Sequence, residues 1–323
     1  MADVRAHMIA GPLQNVSVKY RNGTYIGDRV FPILDGVTPR TMITKYNKGA
    51  WFRDEAGIRA PGTRAKRGSY NVSHVNVNTK EYAFASDVLD EDRRDAKYSN
   101  TPPIVPDQDA TELATDKVDL CKERRIAEIV KTSTWSGVSG GTDKAGAWAG
   151  DSNTFIADVE TGIELIRMNS GFRPNKLLMT ACVLPKLKQN ADLLDRIKYT
   201  ERGIVTAALI ASMFDLQEVL IGDAVYSSAN EKADGSDATL ADIWDINSGK
   251  GMAFLYYTPP KPAKKTPSAG YQARISYGSG GIRRVTKWRE NPEHKDVYEV
   301  AEETDIVQVC PDVGVLWKDV ILT

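Results

Sequence analysis

A polar stretch without a hydrophobic core of its own is the feature that most restricts how this chain can fold. From Arg53 to Glu81, 8 of 29 residues are apolar, 3 of those 8 are alanine, and 9 are charged. Strands are predicted at Thr41–Tyr46 and around Val75 and Val77, where apolar residues alternate with polar ones. An isolated two-stranded hairpin is at best marginally stable in water, and this one buries too little surface to offset the entropy of ordering it. We therefore expect residues 47–82 to be held by a neighbouring molecule.

The overall composition argues against several classes of protein. The 323 residues include 42 basic and 43 acidic side chains, a formal net charge of −1, whereas DNA-binding proteins usually show a basic excess or stripe. No apolar run approaches the roughly 20 residues that span a membrane, and the N-terminal residues contain no apolar signal region. The widely spaced Cys121, Cys182 and Cys310 favour reduced thiols over disulfides or a zinc site. We therefore expect no membrane partner, no secretion and no sequence-specific DNA binding.

A long amphipathic helix is predicted after the polar stretch. Pro106 precedes Asp109, a good N-cap residue, and Glu112 follows in a capping-box arrangement. The helix is expected to end before Gly137, and about 24 residues at ~1.5 Å each span about 36 Å, enough for a strut across a domain. The predicted apolar positions are Ala114, Val118, Cys121 and Ile129, with Leu113, Leu120 and Val130 beside them, and the predicted charged face comprises Asp116, Lys122, Glu123, Arg124, Arg125 and Glu128.

The pattern changes after a glycine-rich loop at residues 137–150. Helices then alternate with short apolar strands, which is typical of a compact α/β domain, and β-rich segments return from about residue 282. The predicted helices are 155–166 with a stop at Gly171, 184–194 and 204–214, and the predicted strands are 176–180, 218–222, 251–257, 285–288, 297–300, 305–309 and 315–321.

The sharpest match to a catalytic motif is Gly137–Gly141, which fits the Gly-x-Ser-x-Gly pattern around Ser139. That motif works only where the serine sits on a tight turn between a strand and a helix, and here it follows a long helix. The histidines His7, His74 and His294 lie in separate polar segments, without the partners that a triad base or a metal cluster needs. A flexible loop is the favoured interpretation, and a serine hydrolase the weaker alternative.

Acidic and glycine-rich clusters also favour structural interpretations. The carboxylates between Asp87 and Asp95 are balanced by Arg93, Arg94 and Lys97, which is typical of a solvated, salt-bridged face. Segments 248–251 and 278–281 lack the glycine spacing of phosphate-binding loops. We therefore predict no catalytic residue, no metal site and no cofactor, and hence no enzyme.

A series of short motifs follows in a fixed order between Thr161 and Tyr271. They are Gly162–Ile166, Gly171–Asn175 before an apolar strand, Asp195–Thr200, Ala208–Phe214, Glu218–Gly222, Ala224–Tyr226, Ile243–Trp244, Tyr256–Pro260 and Pro267–Tyr271. In order and spacing they resemble the major capsid proteins of tailed bacteriophages.

The resemblance implies an α+β, HK97-like fold. Its parts would be an N-terminal arm (1–40), an extended β-hairpin loop (41–85), a peripheral domain with a long spine helix and a β-sheet (86–154 and 276–323) and an axial α/β domain (155–275). It further implies a virion protein, assembled in the host cytoplasm into hexamers and pentamers of an icosahedral phage head around packaged double-stranded DNA. A portal and a decoration protein are implied partners. Some relatives begin with a long scaffolding domain, and since this chain starts almost directly with its arm, a separate scaffolding protein is expected.

The extended loop is the predicted contact between subunits. Its basic residues would meet acidic partners on the neighbour, one candidate being the spine-helix face at Asp116 and Glu123. Exposed ion pairs contribute only about 0–1 kcal/mol each, so apolar contacts would supply most of the affinity. The predicted contact residues are Trp51, Phe52, Arg53, Ile58, Arg59, Arg64, Lys66, Arg67 and Tyr70.

Two further interpretations stay open at this stage. An encapsulin-like compartment shell is the main alternative to a phage head. The lysines Lys261, Lys264 and Lys265 in the proline-rich loop 258–267 form either a contact near the capsomer axis or with DNA, or a solvated surface, which is favoured.

Overall fold

Two β-sheets share one long helix. The computed structural model describes residues 22–98, 105–149, 154–197, 205–229, 239–247, 249–262, 265–277 and 281–321. The helices are α1 (Gly27–Val30), α2 (Lys48–Phe52), α3 (Asp90–Tyr98), α4 (Pro106–Thr132), α5 (Phe155–Ser170), α6 (Val183–Leu187), α7 (Ala191–Ile197) and α8 (Ala207–Met213). The strands are β1 (Ile33–Asp35), β2 (Arg40–Tyr46), β3 (Val72–Asn78), β4 (Lys80–Leu89), β5 (Thr134–Trp135), β6 (Val138–Ser139), β7 (Thr142–Asp143), β8 (Lys176–Thr180), β9 (Glu218–Gly222), β10 (Val225–Ser227), β11 (Leu240–Asp242), β12 (Met252–Tyr256), β13 (Gly270–Arg274), β14 (Arg284–Glu290), β15 (Lys295–Gln308) and β16 (Gly314–Lys318).

Strand β12 lies in the middle of a five-stranded sheet with the order β7-β16-β12-β8-β9. Successive side chains of a strand point to opposite faces, and both faces of this sheet are covered. Leu255 packs with Phe155 and Val159 of α5 on one face, while Phe254 packs with Ile126 of α4 on the other. All five residues of β12 are consequently buried, which explains why its sequence is continuously apolar.

The second sheet is built around β15, a strand of 14 residues. Strand β4 pairs along one edge of β15, and β13 and β14 pair along the other. Helix α4 crosses this strand, with Ala114 and Val118 against Val300. Because the last turns of α4 bury Ile126 and Val130 against the first sheet, this helix joins the two sheets.

Several elements confirm the sequence predictions. Strands β2, β3, β8 and β9 occur where periodicity and apolar runs predicted them. Helix α5 ends at Gly171, whose φ of +75° is the left-handed conformation that glycine adopts without strain.

The predicted start of the long helix was wrong. Helix α4 begins at Pro106 and spans 27 residues, without a side-chain cap at Val105. Proline suits the first helical position because its fixed φ matches the helix and it needs no hydrogen-bond acceptor there. Asp109 therefore lies inside the first turn, and the capping box with Glu112 does not form the helix terminus.

Two other predicted elements have different lengths. The helix predicted over 184–194 is interrupted, because the Asn190 side-chain oxygen accepts a hydrogen bond from Leu193 N (3.2 Å) and starts α7. The strands predicted at 297–300 and 305–309 form one strand, β15. The charged residues between them are accommodated in it, since Glu302 accepts a hydrogen bond from Arg283 Nε at 3.0 Å.

The described part of the N-terminal arm contributes to the core of its own subunit. Ile26, Val30 and Phe31 are buried in the same cluster as Phe254. His7 lies outside the described residues.

Sheet pairing crosses the predicted boundaries between the parts, and two of the crossings join the axial and peripheral parts. Strand β13, expected in the axial part, pairs with β15, whereas β16, expected in the peripheral part, pairs with β12. Among the described residues, no helix is long and apolar enough to cross a membrane.

Candidate subunit-contact surface

The base of the extended loop is an ordered hairpin. Strands β2 and β3 pair antiparallel from Arg40 opposite Asn78 to Tyr46 opposite Val72. The short helix α2 follows β2, and the Asn47 side chain caps it by accepting a hydrogen bond from Gly49 N at 3.0 Å. This helix was not predicted from the sequence.

An aromatic cluster stabilises the loop base. The ring centroid of Trp51 lies 6.1 Å from that of Tyr46 and 6.0 Å from that of Tyr70, and Tyr46 and Tyr70 are 5.8 Å apart. Such ring pairs stabilise by roughly 0.5–1.5 kcal/mol beyond area burial. Trp51 nevertheless stays 58% exposed, so most of its surface is free for another partner.

The loop tip, residues 53–71, has no helix or strand. A turn closes where Thr63 N donates to Ala60 O at 3.2 Å. Ile58, the large apolar residue of the tip, is fully exposed. Its side chain therefore has no cover within the described part of this chain.

The cations of the tip are largely unpaired. Arg53 contacts Glu55 at 3.3 Å. Within the described ranges, no ion pair is formed by the other tip cations, Arg59, Arg64, Lys66 and Arg67. The structure thus brings the predicted loop residues onto one exposed segment that carries an excess of positive charge.

The two predicted acidic partners on α4 differ. Asp116 is half-buried at the helix surface and is available to a neighbour. Glu123 is 1% exposed, so its prediction as part of an exposed face is wrong. Its helical position, four and seven residues before the buried Ala127 and Val130, was the signal that could have placed it inward.

Glu123 instead fixes the N-terminal arm to the long helix. Its carboxylate accepts hydrogen bonds from Ile26 N at 3.1 Å, from Gly27 N at 2.7 Å and from Trp244 Nε1 at 2.6 Å. Burial raises the pKa of the Glu123 carboxyl, while these donors oppose the shift. Three donors converging on one carboxylate indicate that the ionised form is the one held here.

The loop base also docks on its own subunit. Lys48 Nζ lies 3.3 Å from Asp312 Oδ2, and Lys265 Nζ lies 5.8 Å from the centroid of the Tyr46 ring. The Phe52 ring lies directly over Gly171, where an added Cβ would be 3.2 Å from it. Between the loop base and the body of the subunit lies a half-open cavity of about 640 Å³. Sequence reasoning missed this contact, because it joins residues that are more than 100 positions apart.

The serine motif does not lie in the strand–turn–helix context that a catalytic serine of this kind requires. Ser139 lies on β6, which pairs with β5 in a tight hairpin, so no helix follows it. His74 is exposed on β3, and His294 occupies a left-handed turn with φ of +47°. In the described ranges, no group of three or more His, Cys, Asp or Glu side chains could hold a metal ion.

The predicted acidic cluster forms a salt-bridged face. Asp87 Oδ2 accepts from Lys295 Nζ at 2.9 Å, and Arg289 pairs with Asp90. Arg93 also bridges Asp107 and, at 2.7 Å, Asp296. These contacts confirm a salt-bridged face at Asp87, Asp90 and Arg93, with most of the partners supplied by β14 and β15.

The proteins that are similar to this chain in sequence or in fold include phage capsid proteins. No protein-family model matches the sequence. The major capsid protein of Burkholderia phage BcepMu is 26% identical over 276 residues, which cover 81% of this chain and 82% of that protein. Among solved structures, a phage-related protein from Bordetella bronchiseptica RB50 has a TM-score of 0.65 at 23% identity, covering 94% of each chain. The capsid of the cyanophage P-SCSP1u has a TM-score of 0.63 at 10% identity, covering 97% of this chain and 93% of that one.

The same fold also occurs in a compartment shell. The SrpI encapsulin from Synechococcus elongatus PCC 7942 has a TM-score of 0.54 at 11% identity, over 99% of this chain and 96% of that one, which is a similarity of fold alone. The phage capsid structures agree with the mixed α and β architecture predicted from the sequence. This chain is therefore similar in sequence to a phage major capsid protein and has the HK97-like fold of phage capsids.

Proposed function

We propose that copies of this chain form the hexamers and pentamers of an icosahedral phage head that encloses double-stranded DNA. The observation that carries the proposal is the loop tip, which exposes Ile58 completely and leaves four cations without a carboxylate partner in the described chain. A polar segment of this kind cannot offset its ordering entropy alone. Contact with a neighbouring subunit supplies the missing surface.

In this proposal the loop lies across the adjacent subunit of the same capsomer. Trp51, Phe52, Ile58 and Tyr70, each at least 58% exposed, provide the apolar area. Exposed ion pairs contribute only about 0–1 kcal/mol each. The tip cations therefore add little affinity, and they set the register of the contact against carboxylates of the neighbour, Asp116 among them. Glu123 has no place among these partners, since it is buried in its own subunit.

The proposal keeps the division of the chain into four parts and adds the strand pairings seen in the two sheets. The arm is residues 1–40, the loop 41–85, the peripheral part 86–154 with 276–323, and the axial part 155–275. Strands β13 and β16 exchange between the last two parts and thereby fasten them to each other. Helix α4, at ~1.5 Å per residue about 40 Å long, serves as the spine.

The proposed partners are the proteins that a phage head needs for its assembly and for DNA packaging. A separate scaffolding protein guides assembly, a portal admits DNA, and a decoration protein covers the outside. The packaged DNA is enclosed without sequence-specific binding, and the near-zero net charge is in keeping with weak direct contact, because phosphate binding needs an excess of basic side chains. The protein resides in the virion after assembly in the host cytoplasm, and its role is structural rather than catalytic.

The second candidate is a compartment shell, favoured by the fold shared with an encapsulin. The two functions differ in what the particle contains. Particles purified from infected or expressing cells contain DNA and a portal in the phage case, and an enzyme cargo in the encapsulin case.

Deletion of residues 53–66 tests the proposed contact. We expect a soluble subunit, because the deleted segment contributes no buried side chain to the fold, and loss of closed particles in negative-stain microscopy. Closed particles of normal size from the deletion variant would refute the loop contact. A wild-type protein that forms no particles with its scaffolding protein would refute the proposed function itself.

A further inference from the structure

The cavity between the loop base and the body of the subunit has the size and the walls of a ligand site. Its volume is about 640 Å³, and pockets that hold small molecules typically measure about 300–1,000 Å³. Most of its lining surface is apolar, with a small number of charged side chains among the walls. This is the usual composition of a pocket that binds a small organic molecule.

Two separate parts of the chain form the walls of this cavity. The loop base supplies the rings of Tyr46, Trp51 and Phe52, and the body of the subunit supplies Phe172 and Pro267. Trp51, Phe52 and Phe172 are 58%, 63% and 39% exposed, so much of their surface is available to a molecule held between the walls. Rings on both sides favour a flat aromatic occupant, because stacked and edge-to-face contacts between aromatic groups are stabilising.

Cations predominate among the charged groups of the lining. Among the described residues it contains three lysines, Lys45, Lys48 and Lys265, and one carboxylate, Asp312. Lys48 pairs with that carboxylate at 3.3 Å. Lys45 and Lys265 form no ion pair within the described ranges. Two lysines without a carboxylate partner beside apolar walls select an occupant that carries negative charge.

The charge of Lys45 acts across the cavity. Lys45 is half-buried on β2, whereas Cys310 belongs to the wall formed by the body of the subunit. Burial raises the pKa of the Cys310 thiol, and the nearby Lys45 ammonium opposes this shift. A cation in this position is placed to meet an anionic group held between the two walls.

Lys265 is held in an unfavourable backbone conformation beside the cavity. Its φ of +62° lies in the left-handed region, which is costly for a residue with a Cβ. Residues in such conformations persist where their surroundings impose them, and they cluster at functional sites such as ligand clamps. Lys265 Nζ lies 5.8 Å from the centroid of the Tyr46 ring, so its charge reaches from the body to the loop base.

The tip of a neighbouring loop does not suit this cavity. The tip carries the cations Arg59, Arg64, Lys66 and Arg67, which the lysines of the lining would repel. The cavity therefore differs from the acidic surface that receives the loop in the proposed function.

We propose that the cavity binds a small organic anion with a flat aromatic body, an aromatic carboxylate or sulfonate. The aromatic body lies between the loop base and Phe172, and the acid group contacts Lys45 and Lys265. The site belongs to a single subunit, so the inference does not depend on self-assembly. A ligand that touches both walls also holds the loop base against the body of its own subunit.

Binding of two dyes to the full-length, unassembled protein tests the need for a negative charge. Anilinonaphthalene sulfonate carries an acid group, and phenylnaphthylamine has the same aromatic rings without it. Fluorescence titration of the wild type should show saturable binding of the sulfonate dye, with a lower Kd than for the neutral dye. Lys45→Gln/Lys265→Gln should weaken binding of the sulfonate dye about tenfold, equivalent to ~1.4 kcal/mol, and leave binding of the neutral dye unchanged.

Two further variants separate charge from apolar contact. Lys186→Gln/Lys188→Gln removes two exposed cations outside the cavity lining and should bind both dyes as the wild type does. Phe172→Ala removes an apolar wall and should weaken binding of both dyes. Equal weakening of sulfonate binding in the two lysine variants would overturn the proposal. Weakened binding of both dyes in Lys45→Gln/Lys265→Gln would also overturn it.

The native cysteine of the cavity locates the bound dye. A saturating concentration of the sulfonate dye should slow alkylation of Cys310 by iodoacetamide, followed by peptide mass spectrometry. Cys121 and Cys182, equally half-buried but outside the lining, should react at unchanged rates. An unchanged rate at Cys310 would place the dye elsewhere and overturn the proposal. Because the experiment uses the isolated subunit, that result would leave the proposed shell function intact.

Discussion

The indole N–H of Trp244 donates a hydrogen bond to the Glu123 carboxylate at 2.6 Å, across 121 residues of sequence. The same carboxylate accepts from the backbone of Ile26 and Gly27. One buried side chain of the spine helix therefore joins the arm to the segment that carries Trp244. This junction suggests where substitutions affect the fold of the subunit rather than its assembly.

Replacing Glu123 by glutamine is expected to destabilise the subunit. The amide nitrogen of Gln would meet an N–H donor where the carboxylate now accepts, leaving buried donors unsatisfied at a cost of about 1–3 kcal/mol. Urea or thermal unfolding of Glu123→Gln measures this effect. The control is Glu128→Gln on the same helix, whose side chain is 65% exposed and whose substitution should change stability by less than about 0.5 kcal/mol. Equal effects of the two substitutions would contradict the anchoring role.

Asp296 is expected to contribute to the acid sensitivity of the subunit. A hydrogen bond from Lys287, followed by those from Arg93 and Arg289, lowers the pKa of Asp296 to about 2 from an ordinary value of 3.8. Because the folded-state pKa lies below the unfolded one, the stabilisation is present above about pH 4 and is lost as the pH falls towards 2.

Unfolding midpoints measured between pH 5 and pH 2 test the predicted loss of stability in acid. Asp296→Asn should lower stability at pH 5 and flatten the pH dependence between 4 and 2. Glu91→Gln, on the exposed side of α3, is the control and should leave the wild-type profile unchanged. A steep wild-type loss that persists in Asp296→Asn would assign the acid sensitivity elsewhere.

Gly171→Ala is expected to disturb both the end of α5 and the loop base. A φ of +75° strains any residue with a Cβ, typically by about 1 kcal/mol, and the new Cβ would press against the Phe52 ring at 3.2 Å. In a Phe52→Ala background only the backbone strain remains. The difference between the two backgrounds, measured by unfolding, isolates the contact between Gly171 and the loop base, and additive effects would show that Phe52 does not dock there.

Neutralising the tip cations should weaken assembly without unfolding the subunit. The variant Arg59→Gln/Arg64→Gln/Lys66→Gln/Arg67→Gln removes exposed charges that have no partner in the described chain, so its melting temperature should match that of the wild type. Assembly followed by light scattering should be slower and less sensitive to salt, since screened pairs have been removed. The control Lys186→Gln/Lys188→Gln changes two exposed cations on and after α6. An equal loss of assembly rate in both variants would contradict a specific role for the loop.

Local periodicity predicted the strands and the main helices well. The alternation around Val75 and Val77, the apolar run of β8 and the stop at Gly171 are set by nearby residues, and all three occur as expected. The excess of positive charge on the loop tip was also visible in the sequence.

The positions that sequence reasoning missed depend on contacts between distant segments. The helical spacing of Glu123 could have placed it on the inward face, but its hydrogen-bond donors Ile26, Gly27 and Trp244 come from distant segments that no local pattern reveals. Likewise, α2 is positioned by the contacts of Lys48 with Asp312 and of Phe52 with Gly171. The division into parts missed the exchange of β13 and β16, since sheet membership depends on pairing rather than on order along the chain.

Hydrogen exchange of the loop tip tests the central claim most directly. Amides of residues 53–71 should exchange at the rate of an unstructured peptide in a dilute, isolated subunit, and should become strongly protected in assembled particles. Protection of these amides in the isolated subunit would contradict the claim that a second copy supplies the surface this segment lacks, and so would free exchange in closed particles.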